Sequence, residues 1–537
     1  MVSFLSLCYT LLALFALFIS KRLYALYNNY IAACSLNLPI VVCFESFQDP
    51  LWMFIGPSVR KILSRVGFWD PSATDYTSIG WSQNDRFASH AKYGPAFVIV
   101  SPFENNVMVT DKDAAQELFK NWRIWIKNQD MYSMFNAGKL EACVGATRKQ
   151  MNSLISKWKG GSEAKEISLA EARSDWEKLA LHVLMSVGFR KEYEFETGVK
   201  VVEPGHKISF GEAMHTCIGS MALVLTPVIY AAARLPSFVI PARLKRLQIS
   251  VEEVKSFLKS AVEDERRTLR EGIQPGSNLI STLVQANEEE KKEGGKALAL
   301  TDEELYGNLF LFNLAGHETT SSALGFAVPL LALYPEVQRW IHEEIDAVVA
   351  ECGLENYTEV FPRLTRILAF MHETQRFFSA IPLLPKYTAD KSQALMINGT
   401  HTMIPPKTWV SVNLNGLHFD PATWGSDVNE FKPSRWIKDS GAAGHESFTI
   451  PDNVEFAGWS SGPRSCPGKR FSQVEFTAAI SRLLIDCEVQ PAKRIGDTEE
   501  QARERLKSKT FGVEHFISLQ MMDPHGAGIT CVERTHA

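Results

Sequence analysis

The chain opens on its longest uninterrupted apolar stretch. Residues Met1 to Ser20 carry no charge and are nearly all apolar, and Lys21 and Arg22 follow at once. A run of that length matches a bilayer core crossed as a helix. A cleaved signal would carry charge before the run and small residues after it; here the charge follows and no Ala-x-Ala site closes the run. The pattern predicts an anchor over residues 1–22, with the amino terminus in the lumen and the remainder in the cytosol. Residues 23–84 read as a membrane-proximal segment. Within it Leu51 to Ile55 is apolar and aromatic, ends at Gly56-Pro57, and suits either a dip into the membrane surface or a buried patch. Tyr93-Gly94-Pro95 leads into Ala96-Phe97-Val98-Ile99-Val100, a short strand between turn signals.

From there to about Cys352 the spacing is mostly helical. Val251 to Arg270 places Val254, Phe257, Leu258 and Ala261 at helical intervals. Met221 to Ile240 is apolar but is broken by Pro227, Arg234 and Pro236, which predicts two helix ends and a loop. Glu288 to Lys296 predicts a charged surface loop. Thr301-x-x-Glu304 has the form of a capping box and opens a long apolar helix. Strands are expected around 95–110 and 384–412. The fold class is mainly α with a minor β portion (α+β). With no Gly/Ser linker after the anchor, residues 85–537 read as one catalytic domain.

Composition narrows the function. The chain has 537 residues, 45% of them hydrophobic, enough for a substantial core. A net charge of -5 and a pI near 6.3 give no reason to expect nucleic-acid binding. The nine cysteines form no CxxC pair, and their number is odd. That argues against a disulfide framework or zinc ribbon and for a reducing compartment. Sequons at Asn356 and Asn398 then face the cytosol and are chance matches.

One cysteine stands in special surroundings. Residues Trp459 to Gly468 read Trp-Ser-Ser-Gly-Pro-Arg-Ser-Cys-Pro-Gly. A thiolate ligand needs hydrogen-bond donors and positive potential. Gly462, Pro463 and Gly468 suit a tight turn with backbone N–H groups directed at sulfur. A helix beginning after Pro467 would favour the thiolate further. Arg464 could bind a carboxylate. Two overlapping patterns are weaker. Gly458-Trp459-Ser460-Ser461-Gly462 has the form of a hydrolase nucleophile elbow, with His515 or His525 downstream, but that motif needs a strand before the serine and a helix directly after it. Gly462 to Lys469 is one residue too long for a phosphate loop and has Arg470 where Ser or Thr belongs.

The cysteine segment resembles the haem-binding signature of cytochromes P450, F-x-x-G-x-R-x-C-x-G, with Trp459 in the Phe place. Two distant motifs share the resemblance. Ala315-Gly316-His317-Glu318-Thr319-Thr320, inside the predicted long helix, is similar to the family's A-G-x-D/E-T-T motif. Glu373-Thr374-Gln375-Arg376 is similar to its ExxR helix, and Arg435 to the arginine of its P-E-R-F/W segment, with Ser434 replacing the Glu. The i,i+3 spacing puts Glu373 and Arg376 on one helix face in apolar sequence, where both charges require full pairing.

The resemblance covers roughly residues 85 to 520 and implies a cytochrome P450 fold behind an N-terminal transmembrane helix. It implies haem b with Cys466 as axial iron ligand, Arg464 and Trp459 in the cofactor site, Gly316 facing the cofactor, and Thr319 with Glu318 as the catalytic pair handling dioxygen and protons. It places Lys386 where relatives carry a propionate-binding Arg. Arg148 stands at the end of a W-x-x-x-R segment in which Val144 replaces the Trp. The implied activity is monooxygenation of a lipophilic small molecule of terpenoid or polyketide type, in secondary metabolism. Electrons would come from NADPH through a separate membrane-bound reductase docking near Lys469 and Arg470. The implied location is the endoplasmic reticulum, with a single-pass anchor and the catalytic domain in the cytosol. The alternatives are a reductase-independent haem-thiolate isomerase or dehydratase, a haem-binding sensor, and a serine hydrolase at Ser460.

Overall fold

The computed structural model describes residues 4–534 apart from 47, 66–74, 79, 122–137, 160–165, 221–223, 225–239, 273–277, 293–298, 354–355, 440–441, 452–454 and 516–517. The expected broken segment 221–240 lies almost wholly outside the described residues. Two compact units are formed, neither of which begins at residue 85. One comprises residues 1–129, 381–430 and 453–465, the other residues 130–380, 431–452 and 466–537.

The first unit is built on a mixed sheet. Its strands are β1 (Ile40–Val42), β2 (Ala96–Val100), β3 (Asn105–Val109), β4 (Leu383–Tyr387) and β7 (Trp409–Asn413), in the order β1-β2-β3-β7-β4. A separate hairpin joins β5 (Gln393–Ile397) to β6 (Thr400–Ile404). Every residue of β2 is buried. Burial on both faces explains why its sequence shows no polar alternation. Helix α1 (Phe4–Cys34) docks its second half on this sheet: Ala33 and Leu36 are buried in the same cluster as Val98 and Val410, with Leu26 packed against it. Helix α2 (Pro50–Arg65) contains the Leu51–Ile55 patch. Trp52 in that patch is buried and donates to the Thr77 carbonyl at 3.1 Å. Helix α3 (Lys112–Lys120) is capped by Asp111, whose carboxylate accepts from the Ala114 N–H at 2.8 Å.

Among the described residues no helix is long and apolar enough to cross a membrane. The expected transmembrane helix is therefore not seen, and the side chains of residues 4–8, 10 and 11 lie outside the described residues. Arg22, expected as a flanking charge, pairs with Glu45 at 2.9 Å and also with Asp49. That charge is spent within the fold.

The second unit is predominantly helical. It contains α4 (Gly138–Lys159), α5 (Leu169–Phe189), α6 (Phe210–Ile218), α7 (Ala242–Arg270), α8 (Leu279–Lys292), α9 (Asp302–Leu333), α10 (Pro335–Cys352), α11 (Thr365–Phe377) and α12 (Lys469–Asp486). Short strands β8 (Cys487–Pro491), β9 (Val513–His515), β10 (Leu519–Met521) and β11 (Gly528–Glu533) close the chain as two antiparallel pairs, β8 with β11 and β9 with β10. The capping box is present at the start of α9: Thr301 Oγ accepts from the Glu304 N–H at 3.3 Å, and Glu304 accepts from the Thr301 N–H at 2.8 Å. The loop expected over 288–296 is helical as far as Lys292. The nearly buried Arg266 binds Glu288 at 3.1 Å and holds it as part of α8.

A buried ion-pair frame ties α11 to the segment after it. Glu373 and Arg376 are fully buried, and two parallel hydrogen bonds of 2.9 Å join them. Glu373 also accepts from Arg435 Nε at 3.2 Å, Trp436 Nε1 at 3.0 Å and the Lys432 N–H at 2.8 Å. Ser434 is exposed, so the family's Glu is missing at a place where the frame does not need it. His372 next to Glu373 is buried against Trp436 and Phe448, and burial lowers its pKa to about 3. It stays neutral and structural. Phe370 on α11 meets Phe476 on α12 at 6.2 Å, so the frame also supports the helix that follows Cys466.

Arg376→Leu leaves the buried carboxylate short of its bidentate partner. It is expected to lower stability by about 3–5 kcal/mol, read as a fall in the urea unfolding midpoint.

Candidate active site

In the first unit the chain approaches the cysteine through a turn of unusual backbone. Ser460 and Gly462 both have positive φ, 61° and 71°. A Cβ on Gly462 would stand 2.7 Å from the Phe119 carbonyl oxygen of α3. Only glycine fits there. The Ser460 N–H donates to the Ala457 carbonyl at 2.8 Å, and the Ser465 N–H to Gly462 at 3.0 Å, closing a 3-10 turn over Gly462–Arg464. Trp459 is buried edge-on to Phe456 at 6.1 Å. No strand precedes Ser460 among the described residues, and a 3-10 turn follows instead of a helix. The geometry of a hydrolase elbow is therefore lacking.

This unit also buries two cations, Lys386 at 1% exposure and Arg464 at 4%. Lys386 lies on β4 with its ammonium 5.9 Å from the Phe119 ring centre. Gly462, in the same turn as Arg464, abuts the Phe119 backbone. Both cationic segments thus rest on α3. An ammonium and a guanidinium are each suited to a carboxylate, the group the resemblance implies for both.

In the second unit Cys466 stands just before α12. Its carbonyl accepts from the Lys469 N–H at 3.3 Å, and a Cβ on Gly468 would lie 3.8 Å from its sulfur. The thiol therefore sits at the amino end of an 18-residue helix, where the free N–H groups favour negative charge. None of the eight described cysteines forms a disulfide. A thiol so placed suits the thiolate ligand of a haem iron, the role the resemblance implies for Cys466.

The expected catalytic pair, Glu318 and Thr319, lies on α9, which runs unbroken through the polar patch. Thr319 Oγ donates to the Ala315 carbonyl at 2.8 Å, and Thr320 Oγ to the Gly316 carbonyl at 3.0 Å. Glu318 is nearly buried, and its Oε1 accepts from Ser518 Oγ at 2.8 Å and Gln520 Nε2 at 3.1 Å. Sequence reasoning missed both of these partners. A Cβ on Gly316 would meet Leu184 of α5 at 3.0 Å, so glycine there permits close packing of the two helices. Arg148 lies on α4. It lines a pocket with Val144, Phe361, Leu364, Ser481 and Arg482. The α12 residues there lie two or more turns beyond Cys466.

The comparisons agree with this geometry. The cytochrome P450 family model matches residues 127–513. The chain belongs to the cytochrome P450 family. A cytochrome P450 monooxygenase of Arthrobotrys oligospora is 25% identical over 96% of this chain and 97% of its own. A monooxygenase of the phomenoic acid biosynthesis cluster of Leptosphaeria maculans is 29% identical over 65% of this chain and 63% of its own. Among solved structures, the cytochrome P450DA haem domain superposes with a TM-score of 0.62 at 17% identity, covering 85% of this chain and 94% of that one; it supports the fold. As a cytochrome P450 the chain is an oxidoreductase of the monooxygenase class, and the family's cofactor is a haem–thiolate iron.

Gly462→Ala is expected to misplace the turn before Cys466, because the obstacle is backbone and cannot rotate away. The cost is on the order of 1–3 kcal/mol, measured as lost haem absorbance per mole of purified protein.

Proposed function

We propose that this chain inserts one oxygen atom from dioxygen into a lipophilic small molecule, with electrons from NADPH through a separate cytochrome P450 reductase. The observation that carries the reading is Cys466, a thiol at the start of a helix after a turn that only glycine can make. When bound, the haem supplies activation of dioxygen, with the thiolate donating electron density to the iron. Cys466 would hold the iron, and Lys386 and Arg464 the propionates. Thr319 presents a hydroxyl on the same face as Ala315, next in sequence to a buried carboxylate. That pairing favours oxygen activation with proton delivery over a rearrangement that needs no protons. Ala315 and Leu311 are exposed one and two turns before Thr319 on the same face of α9, an apolar stripe suited to a lipophilic substrate. The named cluster of the Leptosphaeria relative supports a role in secondary metabolism.

Membrane attachment belongs to the same proposal. The first half of α1 exposes Leu12, Leu14, Phe15, Leu17, Phe18 and Ile19. A contiguous apolar surface of this kind calls for lipid. The reading is a single anchor in the endoplasmic reticulum with the catalytic portion in the cytosol. Expressed in yeast, the chain is expected to stay with membranes after alkaline carbonate washing, and a version beginning at residue 21 to be released. Release of the full chain would refute the anchor.

The deciding measurement is the carbon monoxide difference spectrum of the reduced protein. A strongly red-shifted Soret band is expected in the wild type and is lost in Cys466→Ala. Its absence from the haem-loaded wild type would overturn the reading. Thr319→Ala is expected to keep the band while product per NADPH falls by roughly tenfold or more.

A further inference from the structure

Glu318 and Thr319 are neighbours in sequence, but helical geometry turns their side chains roughly 100° apart. Thr319 bonds back to Ala315 on the open face of α9. The Glu318 carboxylate points the other way, toward the β9–β10 segment. Ser518 Oγ and Gln520 Nε2 both donate to its Oε1, at 2.8 and 3.1 Å, across about 200 residues of sequence. Ser518 is fully buried. Among the described residues Oε2 receives no hydrogen bond.

Two cavities meet at this carboxylate. A small one of about 30 Å³ is lined by Glu318, Ser321, Ser322, Ser518 and Gln520 together with Arg173 and Glu177. That is room for a single water, with several polar groups to hold it. An open groove of about 380 Å³ shares Arg173, Glu177, Glu318 and Gln520 and continues past Glu212 and His215 of α6. Arg173 and Glu177 pair at 2.8 Å in the shared wall.

We propose that Ser518 and Gln520 are positioning residues that hold the Glu318 carboxylate at the inner end of this groove, where solvent protons reach it. The proposal rests on the reading of Glu318 as the proton-relay acid. Two donors on Oε1 leave Oε2 as the oxygen that takes the proton, so the acid is oriented as well as buried. A proton passes from groove water to Oε2. Glu318 returns to carboxylate when it releases that proton on the Thr319 side; no other bond changes, and nothing is oxidised. The hairpin is thereby a working part of the relay and not only a wall.

The test uses the full-length haem-loaded protein and the variants Ser518→Ala, Ser518→Thr, Gln520→Leu and Glu318→Gln. All are expected to keep the carbon monoxide band. In infrared difference spectra after a pH jump, the band that Glu318→Gln removes is that of Glu318. It is expected to shift in Ser518→Ala and Gln520→Leu and to return in Ser518→Thr. In D2O it is expected to exchange at once; a band unchanged for hours would overturn the route. Reductase-driven NADPH oxidation in air, without organic substrate and with hydrogen peroxide counted as product, is expected to slow roughly three- to tenfold in Ser518→Ala and Gln520→Leu, with an increased solvent isotope effect. If Glu318→Gln slows turnover while the other two behave as wild type, the positioning proposal fails and the relay acid stands. If Glu318→Gln changes nothing, the reading of Glu318 fails with it. A loss in Ser518→Ala that Ser518→Thr does not recover makes Ser518 merely structural and overturns its positioning role.

Discussion

Glu373 carries its carboxylate with no access to water, and five hydrogen bonds from four residues replace the solvent it has lost. A buried charge in this position fixes its surroundings more strictly than an apolar contact does. Hydrophobic packing tolerates small shifts, whereas an unpaired carboxylate does not. Helix α11, the segment 432–436 and, through Phe370 and Phe476, helix α12 are set by that requirement. Cys466 precedes α12 by three residues. The chemistry attributed to the thiol therefore depends on a carboxylate that takes no part in it.

Much of this was legible in the sequence because it is local. The cysteine turn, the i,i+3 pair in apolar sequence and the capping box at Thr301 each lie within ten residues, and each is written in residue types with a single structural use. Gly462 is the clearest instance. Its positive φ and its contact with the Phe119 backbone leave no alternative residue. The exposed Ser434 shows the converse: a departure from the family pattern is neutral where the side chain faces solvent.

The remainder was hidden because it is non-local. Glu318 finds its donors some 200 residues away, Gln520 on a three-residue strand and Ser518 just before it, too short a stretch for a period-2 pattern to be read. Gly316 packs against Leu184 of a helix distant in sequence, a contact its motif does not announce. Arg148 matched a motif with one member missing, and its pocket neighbours Phe361 and Ser481 are distant in sequence. Glu288 sat in a charged run that reads as loop, yet a buried arginine 22 positions earlier recruits it into a helix. Arg22 closes an apolar run, and its ion-pair partners Glu45 and Asp49 come 23 and 27 residues later. In each instance the deciding partner is distant in sequence.

The Glu373 frame also bears on the order in which the chain acquires structure during synthesis. Its first two members are three residues apart and leave the ribosome together, but Arg435 follows Glu373 by 62 residues. At ~5–20 residues per second that is an interval of several seconds. Through it the carboxylate holds only its arginine partner and still requires water. Helix α11 can form in that time, but it has no reason to dock. The cysteine emerges later still, onto a scaffold whose last constraint has only just arrived, so the nascent chain makes its ligand after the structure meant to hold it.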